Sequence, residues 1–176
     1  MATSTSVPVE EYLRTTYDPD MEYVDGELVE RHVGERRHSR LQFLIGLLLG
    51  SREHRGKFHT YTEQRVLVMG AKHRYRIPDL CVMALPYRDE PVFTIPPHLA
   101  IEVVSPDDTM ADLLAKVSDY LRFGIPHIWI ADPYKRTVQV ADRGGFRDCG
   151  NLVVETDLVG RVDFRELFAQ LDEPTE

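Results

Sequence analysis

The chain has 176 residues, of which 43% are hydrophobic and 28% charged, a composition typical of a globular domain and not of a disordered chain. No apolar run approaches the roughly 20 residues that a membrane helix needs, and the first residues lack the pattern of a secretory signal. The two cysteines, Cys81 and Cys149, have no zinc-binding spacing. We therefore expect one soluble domain over residues 1–176, located in the cytoplasm, with no membrane partner.

The formal net charge of −8 argues against simple nucleic-acid binding, because affinity for phosphate is largely electrostatic. The charges are unevenly distributed, however. Residues 31–76 contain eleven Lys or Arg, three acidic residues and five of the seven histidines, so this segment carries +8 and the rest −16. Such a segment is compatible with a polyanion footprint, and equally with helix and hairpin surfaces that happen to be basic.

Apolar periodicity predicts helices, strands and one hairpin in the first half of the chain. The Asp25-Gly26 pair between two alternating stretches is a strong signal for a hairpin turn. Pro78 is expected at the beginning of a strand, where a missing N–H is tolerated. The predicted helices cover residues 9–14 and about 36–52, and the predicted strands cover 57–62, 64–69 and 77–83.

The second half of the chain predicts a strand–helix–strand unit after an irregular, proline-rich connection over residues 85–97. The continuous apolar run at 99–105 indicates a central strand buried on both faces. The clearest helix covers 107–123 and ends at Gly124. Because a buried strand follows at 127–132, part of the sheet should be parallel and the fold class α/β. Further elements are predicted at 137–141, 152–154 and 164–171.

Two carboxylates are unusual for their positions in apolar strands. Glu102 lies inside the buried run Leu-Ala-Ile-Glu-Val-Val, and Asp79 follows Pro78 in a similar segment. A buried carboxylate must be neutral, paired or bound to a cation. If the two strands are neighbours, the acids can converge at one end of the sheet and hold a hard cation such as Mg²⁺. The alternative is a structural ion-pair network, for example with Arg74 or Arg76.

Lys116 is the third candidate. On the 107–123 helix it lies at the edge of the apolar face, one turn before Tyr120. A helix packed on the sheet could aim its ammonium at the carboxylate pair, where a cation positions an attacking water or stabilises charge on a phosphoryl group. Taken alone, Lys116 is better explained as a solvated helix edge than as a catalytic group.

These residues together resemble the PD-(D/E)XK nuclease superfamily and, more closely, the Uma-two family of restriction-type endonucleases. The resemblance covers roughly residues 21–140. The matching stretches are Glu22-Tyr-Val-Asp-Gly-Glu-Leu, His38 at the start of a helix, Arg76-Ile-Pro-Asp79, Glu102-Val-Val-Ser-Pro, and Lys116-Val-Ser-Asp-Tyr120 through Asp132-Pro133.

The resemblance implies a restriction-endonuclease-like fold: a mixed β-sheet with an α-β-β-β-α-β core flanked by helices, with an extra N-terminal hairpin and extra C-terminal strands. It implies Asp79 and Glu102 as catalytic carboxylates that bind Mg²⁺ or Mn²⁺, with the backbone carbonyl of Val103 as a further ligand. The superfamily commonly places a lysine two residues after the glutamate, where this chain has Val104. The close family is similar in this respect, which points to Lys116 as the catalytic lysine.

Three secondary residues also match the family. Glu22 could supply another carboxylate, or it could be an exposed strand position beside a turn. His38 lies on the apolar face of its helix, either as a core histidine or as a group that reaches the site. Tyr120 shares a helix face with Lys116 and could form a hydrogen bond near the site, although a core aromatic needs no function.

Three functions fit these observations. The first is a metal-dependent endonuclease acting on nucleic acid, with double-stranded DNA as the expected partner. A homodimer is expected because cutting both strands suits a two-fold assembly. The second is a catalytically inactive nucleic-acid-binding module of the same fold. The third is a small protein- or metabolite-binding domain in which Asp79 and Glu102 belong to a structural salt-bridge network.

Overall fold

The structure, a computed structural model, describes residues 6–31, 34–53, 56–68 and 73–172. Its helices are α1 (Val9–Arg14), α2 (Arg36–Gly50), α3 (Met110–Phe123) and α4 (Phe164–Ala169). Its strands are β1 (Met21–Val24), β2 (Glu27–Glu30), β3 (Phe58–Thr62), β4 (Val66–Val68), β5 (Arg74–Arg76), β6 (Leu80–Ala84), β7 (Leu99–Val103), β8 (His127–Asp132), β9 (Thr137–Asp142), β10 (Gly145–Asp148), β11 (Val153–Thr156) and β12 (Gly160–Asp163). None of the helices in these ranges has the length and apolar character needed to cross a membrane.

The central sheet has the strand order β10-β9-β8-β7-β6-β3. Strands β7 and β8 are parallel and are joined through α3, which confirms the predicted crossover unit. The other neighbouring pairs of this sheet are antiparallel. The order α2-β3-β6-β7-α3-β8 gives the expected α-β-β-β-α-β core, with β4 and β5 inserted between β3 and β6.

Alternate side chains of β7 enter two different cores. Leu99, Ile101 and Val103 pack in the core that contains the apolar face of α2. Ala100 packs in the core that contains the apolar face of α3. Because successive side chains of a strand point to opposite faces, Glu102 faces α3.

A second sheet, with the order β2-β1-β5-β4, covers one end of the molecule. The Asp25-Gly26 hairpin that joins β1 to β2 is confirmed, and both turn residues have positive φ (55° and 101°), as a tight hairpin turn requires. The strand predicted over 77–83 is wrong at its beginning. The chain leaves β5 in the second sheet and enters β6 in the central sheet across Pro78, which cannot donate a ladder hydrogen bond.

Other differences concern boundaries. The helix predicted from residue 107 begins at Met110, because Thr109 caps it by accepting a hydrogen bond from Asp112 N. Strand β4 is shorter than predicted, and Met69, the end of that prediction, lies outside the described residues. Strands β5, β10 and β12 were not predicted; β10 is exposed throughout and so lacks an alternating pattern.

Candidate active site

Asp79 and Glu102 lie side by side at one end of the neighbouring strands β6 and β7 in the central sheet. Strands β6 and β7 are antiparallel with Leu80 opposite Ile101, so the residue before Leu80 lies beside the residue after Ile101. Both carboxylates are buried. Asp79 Oδ2 accepts a hydrogen bond of 2.7 Å from Val103 N. This backbone N–H therefore donates to a carboxylate in place of a backbone oxygen of a neighbouring strand. The structure therefore brings the two acids and Val103 together at this end of the sheet, while metal binding by these groups stays a prediction.

Helix α3 adds Lys116 and Tyr120 to Glu102. Lys116 Nζ lies 3.0 Å from Glu102 Oε2, and Tyr120 Oη donates a 2.5 Å hydrogen bond to Glu102 Oε1. Residues four apart lie on the same side of a helix, which is why one helix face supplies both groups. Each oxygen of Glu102 therefore has its own partner from α3.

Glu22 reaches the same site from β1 of the second sheet. It is buried, so the alternative of an exposed strand position is wrong. Its Oε1 accepts from Ile77 N at 3.0 Å and lies 4.0 Å from Lys116 Nζ. Its Oε2 accepts from Arg76 Nη1 at 2.6 Å. Glu22 thus joins β1 to the end of β5 directly beside the candidate lysine.

His38 and Arg31 also contact the Asp79 carboxylate, one at each of its two oxygens. His38 Nε2 lies 3.3 Å from Asp79 Oδ2, so this helix histidine does reach the site. Arg31 Nη2 donates to Asp79 Oδ1 at 2.9 Å. Sequence reasoning missed Arg31, because a single arginine after a hairpin carries no signal of a partner 48 residues away.

Asp119 is a second residue that the sequence did not indicate. It is buried and accepts hydrogen bonds from Arg76 Nε (2.8 Å) and Arg74 Nη1 (2.7 Å). The suggestion that Arg74 and Arg76 pair with Asp79 and Glu102 is therefore wrong. The signal that could have revealed Asp119 is its place directly before Tyr120, on the buried side of α3.

The two central carboxylates differ in pKa. Burial raises the pKa of Glu102 to about 7; the charge of Lys116 opposes this rise and the charge of Asp79 adds to it. For Asp79, burial raises the pKa, but the hydrogen bond and charge of His38, together with Arg31, outweigh it and hold the pKa below its usual value. Asp79 is therefore the more acidic of the two carboxyl groups, and such a separation of pKa values is common in active sites.

The charge state of Lys116 follows from its neighbours. Burial lowers the pKa of this ammonium, but the negative charges of Glu102, Glu22 and Asp79 outweigh burial and raise the pKa above its usual value. Lys116 therefore remains protonated, and it acts as a cation and hydrogen-bond donor.

The donor set fits a hard divalent cation. Carboxylate oxygens are the ligands that Mg²⁺ and Mn²⁺ prefer. Glu102 keeps a raised pKa even with Lys116 at 3.0 Å, because burial disfavours its charged form, and a bound cation would favour that form. Lys116 Nζ also lies within 4.0 Å of Glu22. A cation bound at Glu102 therefore competes with this ammonium as the counter-charge.

Part of the basic segment predicted from the sequence is engaged in contacts within the protein. Arg31, Arg74 and Arg76 are bound to carboxylates. Arg52 donates to the backbone oxygens of Val159 and Arg161. The first turns of α2, which carry His38, present a separate group of arginines toward solvent: Arg36 and Arg40 are exposed and Arg37 is partly exposed.

Comparison with known proteins places the chain in a family. The Uma2 family, described as "Putative restriction endonuclease", matches residues 9–158. The chain belongs to the Uma2 family. Membership in Uma2 supports nuclease function, and the resemblance inferred from the ordered motifs is confirmed.

One solved structure gives the same fold. A crystal structure of "a putative nuclease belonging to DUF820" from Anabaena variabilis matches with a TM-score of 0.79 and 21% identity, over 94% of this chain and 99% of that chain. The predicted restriction-endonuclease-like fold is thereby confirmed. A complex of DrdV with DNA matches with a TM-score of 0.42 and 19% identity, over 81% of this chain and 12% of that chain. The comparison with curated proteins gives no match.

Proposed function

We propose that this Uma2 protein is an endonuclease that hydrolyses phosphodiester bonds in double-stranded DNA and depends on Mg²⁺ or Mn²⁺. The observation that carries the proposal is the convergence of Asp79, Glu102 and Lys116 at one end of strands β6 and β7. The two acids lie on adjacent strands, and Lys116 Nζ is 3.0 Å from Glu102. A buried acid pair with a charged lysine is a suitable set of groups for phosphoryl chemistry.

Asp79 and Glu102, with the carbonyl of Val103, would hold the divalent cation. When bound, such a cation polarises the scissile phosphate and lowers the pKa of a bound water. The protein prepares these ligands in advance. Val103 N and His38 Nε2 orient Asp79, and Tyr120 Oη orients Glu102. Ligands that are held by hydrogen bonds need little reorganisation when the cation or the substrate binds.

Lys116 serves as the electrostatic group of the reaction. Because it remains protonated, it is suited to donate hydrogen bonds to the attacking water or to a phosphoryl oxygen, and unsuited to act as a general base. Negative charge that develops on the phosphoryl group in the transition state is offset by this ammonium. The products are expected to carry a 5′-phosphate and a 3′-hydroxyl.

DNA would approach along the start of α2. Arg36, Arg37 and Arg40 lie in the same turns as His38, whose ring contacts Asp79. Arginines contact phosphates without reading sequence and fix the orientation of the duplex.

A homodimer would bring a second active site to the opposite DNA strand. Light scattering of the purified protein measures its oligomeric state.

The test is cleavage of supercoiled and linear DNA in Mg²⁺, Mn²⁺ and EDTA. Asp79→Asn, Glu102→Gln and Lys116→Met are compared with the parent, and each is expected to lose cleavage. Glu166→Gln is the matched control, because Glu166 is an exposed carboxylate on α4. The proposal fails if the three site variants cut DNA as well as the parent and the control do.

A catalytically inactive DNA-binding module is the second candidate. It is favoured by the ion pairs of Asp79 with Arg31 and of Glu102 with Lys116, which already supply both acids with counter-charges. DNA binding that survives EDTA, without cleavage in either metal, would support this candidate and exclude the first.

A further inference from the structure

A cluster of potential metal ligands lies at the opposite end of the two parallel strands. His98 directly precedes β7 and His127 opens β8, and the register pairs Leu99 with His127. The two imidazole rings are therefore neighbours, with centroids 4.9 Å apart. Glu102 is four residues further along β7, about 13 Å away at the rise of a strand. The cluster is thus separate from the carboxylate site.

The turn between β11 and β12 adds a carboxylate to the two histidines. Asp157 Oδ1 lies 3.5 Å from His98 Nε2. One ligand atom from each of His98, His127 and Asp157 lies within 4.8 Å of the others. The Asp157 side chain is 88% exposed, so its carboxylate can rotate without disturbing the core. Three elements distant in sequence therefore present two imidazoles and one carboxylate to one point.

The spacing suits a transition metal. Zn²⁺ binds imidazole nitrogen and carboxylate oxygen at about 2.0–2.2 Å, so tetrahedral ligands lie about 3.4 Å apart. The 3.5 Å separation of His98 Nε2 and Asp157 Oδ1 matches this value. The same nitrogen is 3.1 Å from Thr156 Oγ1, a hydrogen bond that metal coordination would replace.

We propose that His98, His127 and Asp157 bind Zn²⁺ or a transition metal of similar ligand preference. Imidazole ligands suit Zn²⁺, whereas Mg²⁺ prefers oxygen, so this site and the carboxylate site select different ions. A metal here joins the beginnings of β7 and β8 to the β11–β12 turn. Because these ligands meet only in the folded chain, the metal raises the thermal stability of the protein.

The experiment is calorimetric titration of Zn²⁺ into the full chain with saturating Mg²⁺ present, combined with thermal unfolding with and without Zn²⁺. The parent is expected to bind Zn²⁺ and to melt at a higher temperature when Zn²⁺ is present. Asp157→Asn and His127→Ala are expected to lose both effects while they keep Mg²⁺ binding. His59→Gln, which removes an exposed histidine on β3, is the control and is expected to behave as the parent does.

Asp157 is a surface turn residue, so its variant tests the site without a risk to the core. The proposal is overturned if the parent binds no Zn²⁺, or if Asp157→Asn and His127→Ala bind it as tightly as the parent does. These readouts are independent of DNA cleavage, and the result therefore stands apart from the proposed nuclease function.

Discussion

Removal of the Asp119 carboxylate should destabilise the protein strongly, because it breaks a buried ion-pair network. Asp119 Oδ2 is bound by Arg76 Nε and Nη2 at 2.8 and 2.7 Å, and Asp119 Oδ1 is bound by Arg74. Asp119 is 2% exposed and Arg76 is 6% exposed. The Asp119→Ala variant therefore leaves the Arg76 guanidinium buried with Glu22 as its remaining carboxylate.

The size of the effect follows from the partners that remain. Removing one member of a buried ion pair costs about 3–5 kcal/mol when it leaves an uncompensated charge. Arg76 keeps Glu22 and Arg74 keeps Asp25, so we expect a loss at the lower end, about 3 kcal/mol. For a chain of this size, such a loss lowers the melting temperature by roughly 6–12 °C. Asp119→Asn keeps the shape and one acceptor, and we expect a smaller loss.

Urea unfolding followed by circular dichroism measures the difference in the free energy of unfolding between Asp119→Ala and the parent. Asp89→Ala is the control, because Asp89 is exposed in the 85–97 connection and its replacement should change the free energy of unfolding by no more than about 0.5 kcal/mol. If the free energy of unfolding of Asp119→Ala lies within about 1 kcal/mol of the parent value, the buried ion pairs of Asp119 do not stabilise the fold as proposed.

Two further predictions concern Glu102. Tyr120→Phe removes the 2.5 Å hydrogen bond to Glu102 Oε1 and leaves a buried oxygen without its donor, so the free energy of unfolding should fall by about 1–3 kcal/mol. The DNA cleavage rate should fall too, and parent-like values in both assays would contradict this role. Burial raises the pKa of Glu102 to about 7, so the carboxylate gains its charge as pH rises through 7. Calorimetry should therefore show Mg²⁺ binding about tenfold weaker at pH 6 than at pH 8, whereas equal affinities would argue against Glu102 as a ligand.

Elements with strong local signals could be predicted. The β7–α3–β8 unit was found because a continuous apolar run, a helical apolar face and a second apolar run follow one another. The first hairpin was found from Asp25-Gly26, since few pairs accept positive φ at both positions. Strand β5 was missed, because three residues with two arginines show no strand pattern until Asp119 and Glu22 neutralise them.

The residues of the candidate site also divide into those that the sequence reveals and those that it does not. Asp79 and Glu102 were identifiable because a carboxylate in an apolar strand is costly to bury, whatever its partner. Arg31 was not identifiable, because it is an ordinary charged residue by its neighbours in sequence, and Asp119 carries only the weak signal of its place before Tyr120 on α3. Their significance depends on partners 48 and 43–45 positions away.

The sequence by itself determined most of the helices and strands and which acids are out of place, because periodicity and the cost of burying charge are local properties. Only the tertiary structure decided which charges meet. The antiparallel register of β6 and β7 brings Asp79 beside Glu102, and the packing of α3 on that face supplies Lys116 and Tyr120. Ion pairs between distant segments depend on distances of a few ångströms, and those distances are set by how the sheets and helices pack together.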